Sequence, residues 1–257
     1  MGRFKWLEFD EKAPRAAVSA PEDEEVDEVV CLERGDRSFR DESYEPALYS
    51  YSRALRYQIN LERAWVGQVR CLLAMGENVE AELWADRGLS RFPNSADLLA
   101  AKGLALSRTR GPTAGMRYSD QALEAGGGTE FVWLARGEIL LASKSEEAAV
   151  RCFAKAIEAA GSDWHCHYSI GRLLQAADDP ARALRYFSDA ARCDPKQARP
   201  WVRAAQCHQA MGQIDAAQAA LYRALQLNPG DRRLRRSLQE LQRIGPLRRI
   251  WRALRGH

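Results

Sequence analysis

No run in this 257-residue chain approaches the ~20 consecutive apolar residues that a membrane-spanning helix needs. Compact apolar stretches such as Ile139-Leu140-Leu141-Ala142 are only a few residues long. The first thirty residues begin basic and turn acidic without a continuous apolar core, so no secretory signal is expected. The six cysteines, Cys31, Cys71, Cys152, Cys166, Cys193 and Cys207, include no C-x-x-C pair, which predicts reduced, buried thiols in a cytoplasmic setting. A glycine-rich phosphate loop, a G-x-S-x-G elbow and an H-E-x-x-H pair are all missing. With no convergent acid, base, nucleophile or metal ligand, a non-catalytic protein without cofactors is expected. Wholesale disorder is also excluded, because 46% of the residues are hydrophobic and the net charge is only +3.

That small net charge hides an asymmetry. Residues 1–28 hold four basic and nine acidic residues (4 − 9 = −5), whereas 232–257 hold nine arginines against Glu240 alone (9 − 1 = +8), leaving 25 charges of each sign between. A neutral body thus carries an acidic arm and a basic tail. Basic residues are overwhelmingly arginine (32 Arg to 6 Lys), as a GC-rich bacterial genome would produce.

The body is periodic. Trp65, Trp133 and Trp201 recur at equal intervals, each twice 34. Steps of 34 from Ala47 land on Ala81, Gly115, Ala149, Ala183 and Ala217, and from Ala54 on Gly88, Ala122, Ala156, Ala190 and Ala224. Small residues at fixed slots let two helices approach to the short end of the ~8–10 Å packing range. Each unit contains two amphipathic runs separated by a breaker, such as Met75-Gly76, Asp178-Asp179-Pro180 or Met211-Gly212. One helix pair cannot bury its apolar face alone, so such units must stack on their neighbours.

The pattern resembles the tetratricopeptide repeat family, whose units space Trp, Gly, Ala, aromatic, Ala and Pro through about 34 residues. Trp65, Ala81, Gly88 and Pro93 carry it in one unit, Trp133, Gly137, Ala149, Phe153 and Ala156 in another, and Gly171, Ala183, Phe187, Ala190 and Pro195 in a third. The unit 96–129 departs most, with Gly115 and Ser119 in the usual Ala and aromatic slots. The resemblance implies an all-α, right-handed α-solenoid of six helix-turn-helix units, at 28–61, 62–95, 96–129, 130–163, 164–197 and 198–231.

Outside the units, Leu234, Leu238 and Leu241 recur at helical spacing and predict a capping helix over 232–244, stopped by Gly245-Pro246. In the tail 245–257, Leu247, Ile250, Trp251 and Leu254 share one stripe, with Arg248, Arg249, Arg252 and Arg255 on the remainder. Such a segment can fold against the cap, lie peripherally on the inner face of a membrane, or enter a partner's groove; nucleic acid is disfavoured. At the other end, residues 1–27 form an acidic arm whose tip carries Phe4, Trp6, Leu7 and Phe9. That cluster is costly to leave in water and so is expected to dock on a partner, a second copy or the repeat groove.

The family lines its concave face with positions 2, 5, 9 and 12 of each first helix. Here these and adjacent positions nominate an apolar stretch with Arg63, Val66, Arg70, Leu104, Phe131 and Leu134. A cationic, amide-rich stretch follows, with His165, Tyr168, Arg172, Gln175, Arg199, Arg203 and Gln206. The resemblance therefore implies an adaptor or scaffold that binds a partner polypeptide bearing apolar and acidic groups, within a larger assembly. The alternative is an assembly factor or chaperone held on a membrane or complex by the basic tail. No metal site is expected at Trp164-His165-Cys166-His167, because residues at i and i+2 of a helix point to nearly opposite sides.

Overall fold

The computed structural model describes the backbone of residues 27–255 and the side chains of 27–243. Thirteen α-helices and no strand occur among the described residues. The first helices of successive pairs are α1 (Glu28–Arg40), α3 (Glu62–Met75), α5 (Ala96–Arg110), α7 (Glu130–Ala142), α9 (Trp164–Ala176) and α11 (Ala198–Ala210). The second helices are α2 (Tyr44–Tyr57), α4 (Asn78–Arg91), α6 (Pro112–Glu124), α8 (Glu146–Ala160), α10 (Pro180–Cys193) and α12 (Ile214–Leu227). Both series start in strict register with the sequence repeat, and α13 (Arg232–Arg255) follows.

Local chemistry fixes these boundaries. Asp27 accepts from the Val30 N–H at 2.8 Å, Ser95 from Leu98 at 3.3 Å, Thr129 from Val132 at 3.2 Å and Asp179 from Arg182 at 2.9 Å. Each bond satisfies a helix-start donor. After the first helices, positive φ falls at Glu42, Gly76, Lys144, Asp178 and Gly212, on the same 34-step register; in the third pair it falls one residue late, at Gly111. Of the five in register, only Gly76 and Gly212 are the glycine that such a C-terminus favours. The others adopt it because six-to-one closing bonds satisfy the last turn, as in Ser43 N–H to Ser38 O and Ser145 N–H to Leu140 O, both at 2.9 Å.

The chain divides into two compact units, one ending at Ser145 and the other beginning at Glu146. In the first unit each helix packs on the next, and the first helices also touch one another in the series α1, α3, α5, α7. Ala47, Ala54, Ala81 and Ala122 are fully buried at these crossings. The departure at 96–129 has a physical basis. A Cβ on Gly115 would sit 2.4 Å from the Gly103 carbonyl oxygen, so α5 and α6 meet backbone to backbone. Ser119, in the aromatic slot, is buried and accepts from Arg136 Nη1 at 2.9 Å; the same guanidinium reaches Asp120 at 2.7 Å.

In the second unit α9 to α13 pack in sequence. Phe187 and Ala190 of α10 are buried, and the Phe187 ring occupies the space that a Cβ on Gly171 would need. Leu234, Leu238 and Leu241 of α13 are buried against Ala217, Leu221 and Ala224 of α12, and Gln218 Nε2 donates to the Leu241 carbonyl at 2.9 Å. The expected stop at Gly245-Pro246 does not occur: α13 continues to Arg255. Proline removes one i to i−4 hydrogen bond, which costs about 3 kcal/mol but does not force the chain out of a helical conformation.

Candidate peptide-binding surface

The two stretches nominated by sequence differ in structure. In the first unit the candidate wall is occupied by its own side chains. Leu104 and Leu134 are buried, and Val66 and Phe131 are partly buried against the core. The Arg70 guanidinium lies between two rings, 4.8 Å from the Phe39 centroid and 4.6 Å from that of Phe131, a cation–aromatic contact on both faces. Arg63 pairs with Asp36, whose other oxygen accepts from Tyr51 Oη at 2.7 Å. Arg108, which helix position does not nominate, makes a bidentate pair with Glu138 at 2.7 and 3.0 Å and donates to the Leu73 carbonyl at 2.7 Å. Two parallel bonds of this kind are the strong form of an ion pair. In this stretch Leu104 and Leu134 belong to the core and Arg70 is held against two rings, while Val66 and Phe131 are half-buried and Arg63 stays exposed.

The second unit gathers a different set. Asp163 caps α9 through the His165 N–H at 3.0 Å and so sets the start of the helix that carries Trp164, His165, Tyr168, Arg172 and Gln175. The Trp164 and His165 rings lie 4.8 Å apart, and Trp164 meets the Tyr168 ring edge-on at 5.6 Å. Tyr168 itself is buried, its ring also 5.7 Å from that of Phe187. From α11, Arg199 lies 5.8 Å from the Trp164 ring centroid. One turn on, Arg203 donates from Nε to Tyr168 Oη at 3.3 Å and from Nη1 to Gln206 Oε1 at 3.4 Å. Gln175 Nε2 reaches the same Gln206 oxygen at 3.5 Å. These distances sit at the long limit of hydrogen bonding, so an incoming acceptor can replace them at little cost. Among the described residues no carboxylate pairs with Arg203.

The arrangement offers two guanidinium groups one turn apart on α11, an aromatic surface at Trp164 and His165, and two amides. Guanidinium groups bind carboxylates in a planar, two-bond fork, and aromatic surfaces anchor apolar side chains. Arg172 is half-buried on α9 and belongs to the same helix face. Trp164 and the stacking of Arg199 escape a reading by single helix positions, because their contact joins position 1 of one unit to position 2 of the next. His167 turns elsewhere: its ring lies 6.4 Å from Tyr186, and burial lowers its pKa, with Asp189 opposing and Arg192 adding to that shift. No three His, Cys, Asp or Glu side chains among the described residues come together as a metal site. Elsewhere a half-open crevice of about 160 Å³, lined by Phe187, Arg192, Pro200 and Trp201 among others, lies between α10 and α11. It is below the ~300–1,000 Å³ typical of small-molecule sites.

Phe4, Trp6 and Phe9 lie outside the described residues, as do the side chains of Arg248, Ile250, Trp251, Arg252 and Leu254, whose backbone belongs to α13. No described helix is long and apolar enough to cross a membrane.

Comparison with known proteins supplies the relationship. Two family models, both described as tetratricopeptide repeat, match residues 132–163 and 174–241. No curated protein matches the chain. Among solved structures, PilW, a type IV pilus biogenesis factor, is 20% identical with a TM-score of 0.53, over 82% of this chain and 98% of its own. A tetratricopeptide repeat protein from Parabacteroides merdae is 16% identical with a TM-score of 0.53, over 84% of each chain. A chain of the APC/C hetero-tetramer Cut9–Hcn1 is 13% identical with a TM-score of 0.54, and the alignment covers 84% of this chain but only 43% of that longer one. These likenesses show the fold, an all-α helical-repeat solenoid. Helix pairs in register with the sequence repeat, the small residues buried at their crossings and the two matching family models identify tetratricopeptide repeats in this chain, matched over 132–163 and 174–241.

Proposed function

We propose that this protein is a non-catalytic adaptor of six repeat units that holds a partner polypeptide on the first helices of its second compact unit. The observation that carries the reading is the convergence of Trp164, His165, Arg199, Arg203, Gln175 and Gln206 on α9 and α11, with Arg203 held, among the described residues, by long bonds to neutral groups. The fitting ligand is a segment with an acidic side chain or terminal carboxylate next to an apolar one. Arg203 fixes the carboxylate, with Arg172 on the same face of α9 as Tyr168 and Gln175, while the apolar neighbour lies on Trp164. The first unit serves as a packed scaffold in this reading, not as an apolar continuation of the site, because Leu104, Leu134 and Arg70 are already engaged.

The test is affinity capture from native lysate with wild-type chain and the Arg172→Glu/Arg203→Glu variant. Proteins enriched by the wild type should be lost from the variant at unchanged helical circular dichroism. An unchanged captured set would refute the site.

A further inference from the structure

The helix that covers the last pair has a one-signed outer face. Between residues 232 and 243, α13 carries Arg232, Arg233, Arg235, Arg236 and Arg243 against the single acid Glu240. All five arginines are exposed, while Leu234, Leu238 and Leu241 are buried against α12. At about 100° per residue, Arg232, Arg236 and Arg243 fall within about 40° of one another, opposite those leucines. They form a straight line of roughly 16 Å, with Arg233 and Arg235 about 80° to either side.

The fold makes little use of this charge. The Asp231 carboxylate accepts from the Arg233 and Leu234 N–H groups at 2.8 and 3.2 Å, and Arg235 Nη2 donates to the Pro229 carbonyl at 2.9 Å. Among the described residues no carboxylate forms an ion pair with any of the five. A cap needs a polar outer face, which a mixture of both signs supplies without a one-signed field. Four of the arginines also occupy the first five residues of α13, with no acid in its first turn, where the helix dipole disfavours cations. Their placement costs stability, and a local rule broken without gain to the fold marks a functional surface. Spacings of about 6 and 10 Å along the line are close to the Debye length of about 8 Å at physiological salt, so a partner meets the arginines as one field.

The line faces away from α12, which leaves room for a flat partner. Between 232 and 243 this outer face is built of Arg, Ser, Gln and Glu alone. It therefore has no ring to stack on unpaired bases and no apolar anchor for a protein pocket. The sequence that follows interleaves Leu247, Ile250, Trp251 and Leu254 with four more arginines, a composition suited to the boundary of headgroups and acyl chains rather than to duplex phosphates.

We propose that Arg232, Arg236 and Arg243, flanked by Arg233 and Arg235, are a docking surface for anionic lipid headgroups, along which α13 lies with its leucines still packed on α12. The contact over 232–243 is electrostatic and does not depend on the surface at α9 and α11.

Flotation of the full chain with vesicles of phosphatidylcholine containing about 30% phosphatidylglycerol tests it. Binding should exceed that to pure phosphatidylcholine and weaken as salt is raised. Each arginine near an anionic surface changes partitioning about fivefold, so Arg232→Gln/Arg236→Gln/Arg243→Gln should weaken binding roughly 100-fold. That variant should match or exceed the parent in urea stability, because it relieves the conflict with the helix dipole. Arg232→Lys/Arg236→Lys/Arg243→Lys should retain binding. So should the charge-matched Arg117→Gln/Arg151→Gln/Arg185→Gln, at exposed positions of α6, α8 and α10. Equal binding to neutral vesicles, an unaffected glutamine variant of α13, or an equal loss in the charge-matched control would each overturn the proposal. So would salt-sensitive binding to a DNA duplex of about 20 base pairs in place of the vesicles, which assigns the arginines to nucleic-acid phosphates.

Discussion

Gly115→Ala probes a close approach between α5 and α6. The added Cβ falls 2.4 Å from the Gly103 carbonyl oxygen and 2.7 Å from Ser107 Cβ. Neither neighbour is the free end of a flexible side chain; one is the backbone of α5 and the other is a short side chain fixed to it. The methyl group can be admitted only by moving α6 away from α5, and overpacking of this kind costs about 1–3 kcal/mol. Alanine recovers up to about 1 kcal/mol through its greater helix propensity. The net expectation is a loss of about 1–2 kcal/mol, or a factor of about 5–30 in the folded-to-unfolded ratio. Urea unfolding followed by circular dichroism measures this as a lower midpoint at unchanged slope. Gly230→Ala is the control. Nothing lies near its Cβ and its φ is ordinary, so it should be neutral or stabilise by up to about 1 kcal/mol. If Gly115→Ala is as stable as the parent, the backbone-to-backbone packing of α5 and α6 is wrong.

Three further outcomes follow from buried groups. Gln68 Nε2 donates to Ser52 Oγ at 2.8 Å, and both side chains are buried. Ser52→Ala should cost about 1–3 kcal/mol by stranding the amide, and Ser52→Ala/Gln68→Leu should recover most of it in the same unfolding assay. Cys193 is the exposed cysteine and the other five are buried, with burial raising the thiol pKa of Cys31, Cys71 and Cys207. A thiol reagent on native protein should therefore label one site rapidly, and Cys193→Ser should remove that phase. Burial disfavours the charged form of His167 and holds its folded pKa below the ordinary value, which is about 6.5 in an unfolded chain. The unfolded chain binds the extra proton, and stability should fall as pH drops from about 7 towards 5. His167→Phe should flatten that part of the profile in unfolding titrations, and an unchanged slope would assign it to other groups.

The repeat was legible because close helix crossings demand small residues. Ala47, Ala54, Ala81, Ala149, Ala156, Ala183, Ala190, Ala217 and Ala224 are all fully buried, and selection for size leaves a mark that survives at any sequence distance. The turns were less legible. Glu42, Lys144 and Asp178 adopt left-handed φ without being glycine, since closing hydrogen bonds, not residue type, decide those positions. Gly245-Pro246 misleads for a related reason, as a breaker raises the cost of a helix without ending it. For the binding surface, helix position alone identifies which face a residue shares but not whether a neighbour has filled the space. Leu104 and Leu134 look like groove lining by position, and only packing reveals them as core. Arg70 looks like a ligand contact until Phe39 and Phe131 are seen on either side. Trp164 and Arg199 become a pair only once two units are stacked.

The most direct measurement places a photo-cross-linking residue at two exposed positions in turn. Gln206 sits on the proposed first-helix surface, and Tyr222 lies on the second helix of the same pair, 58% exposed. Captured partner should cross-link from position 206, and that product should vanish on adding Arg172→Glu/Arg203→Glu, while position 222 gives none. Cross-linking from 222 in place of 206 would contradict the assignment of α9 and α11 as the surface that holds another polypeptide.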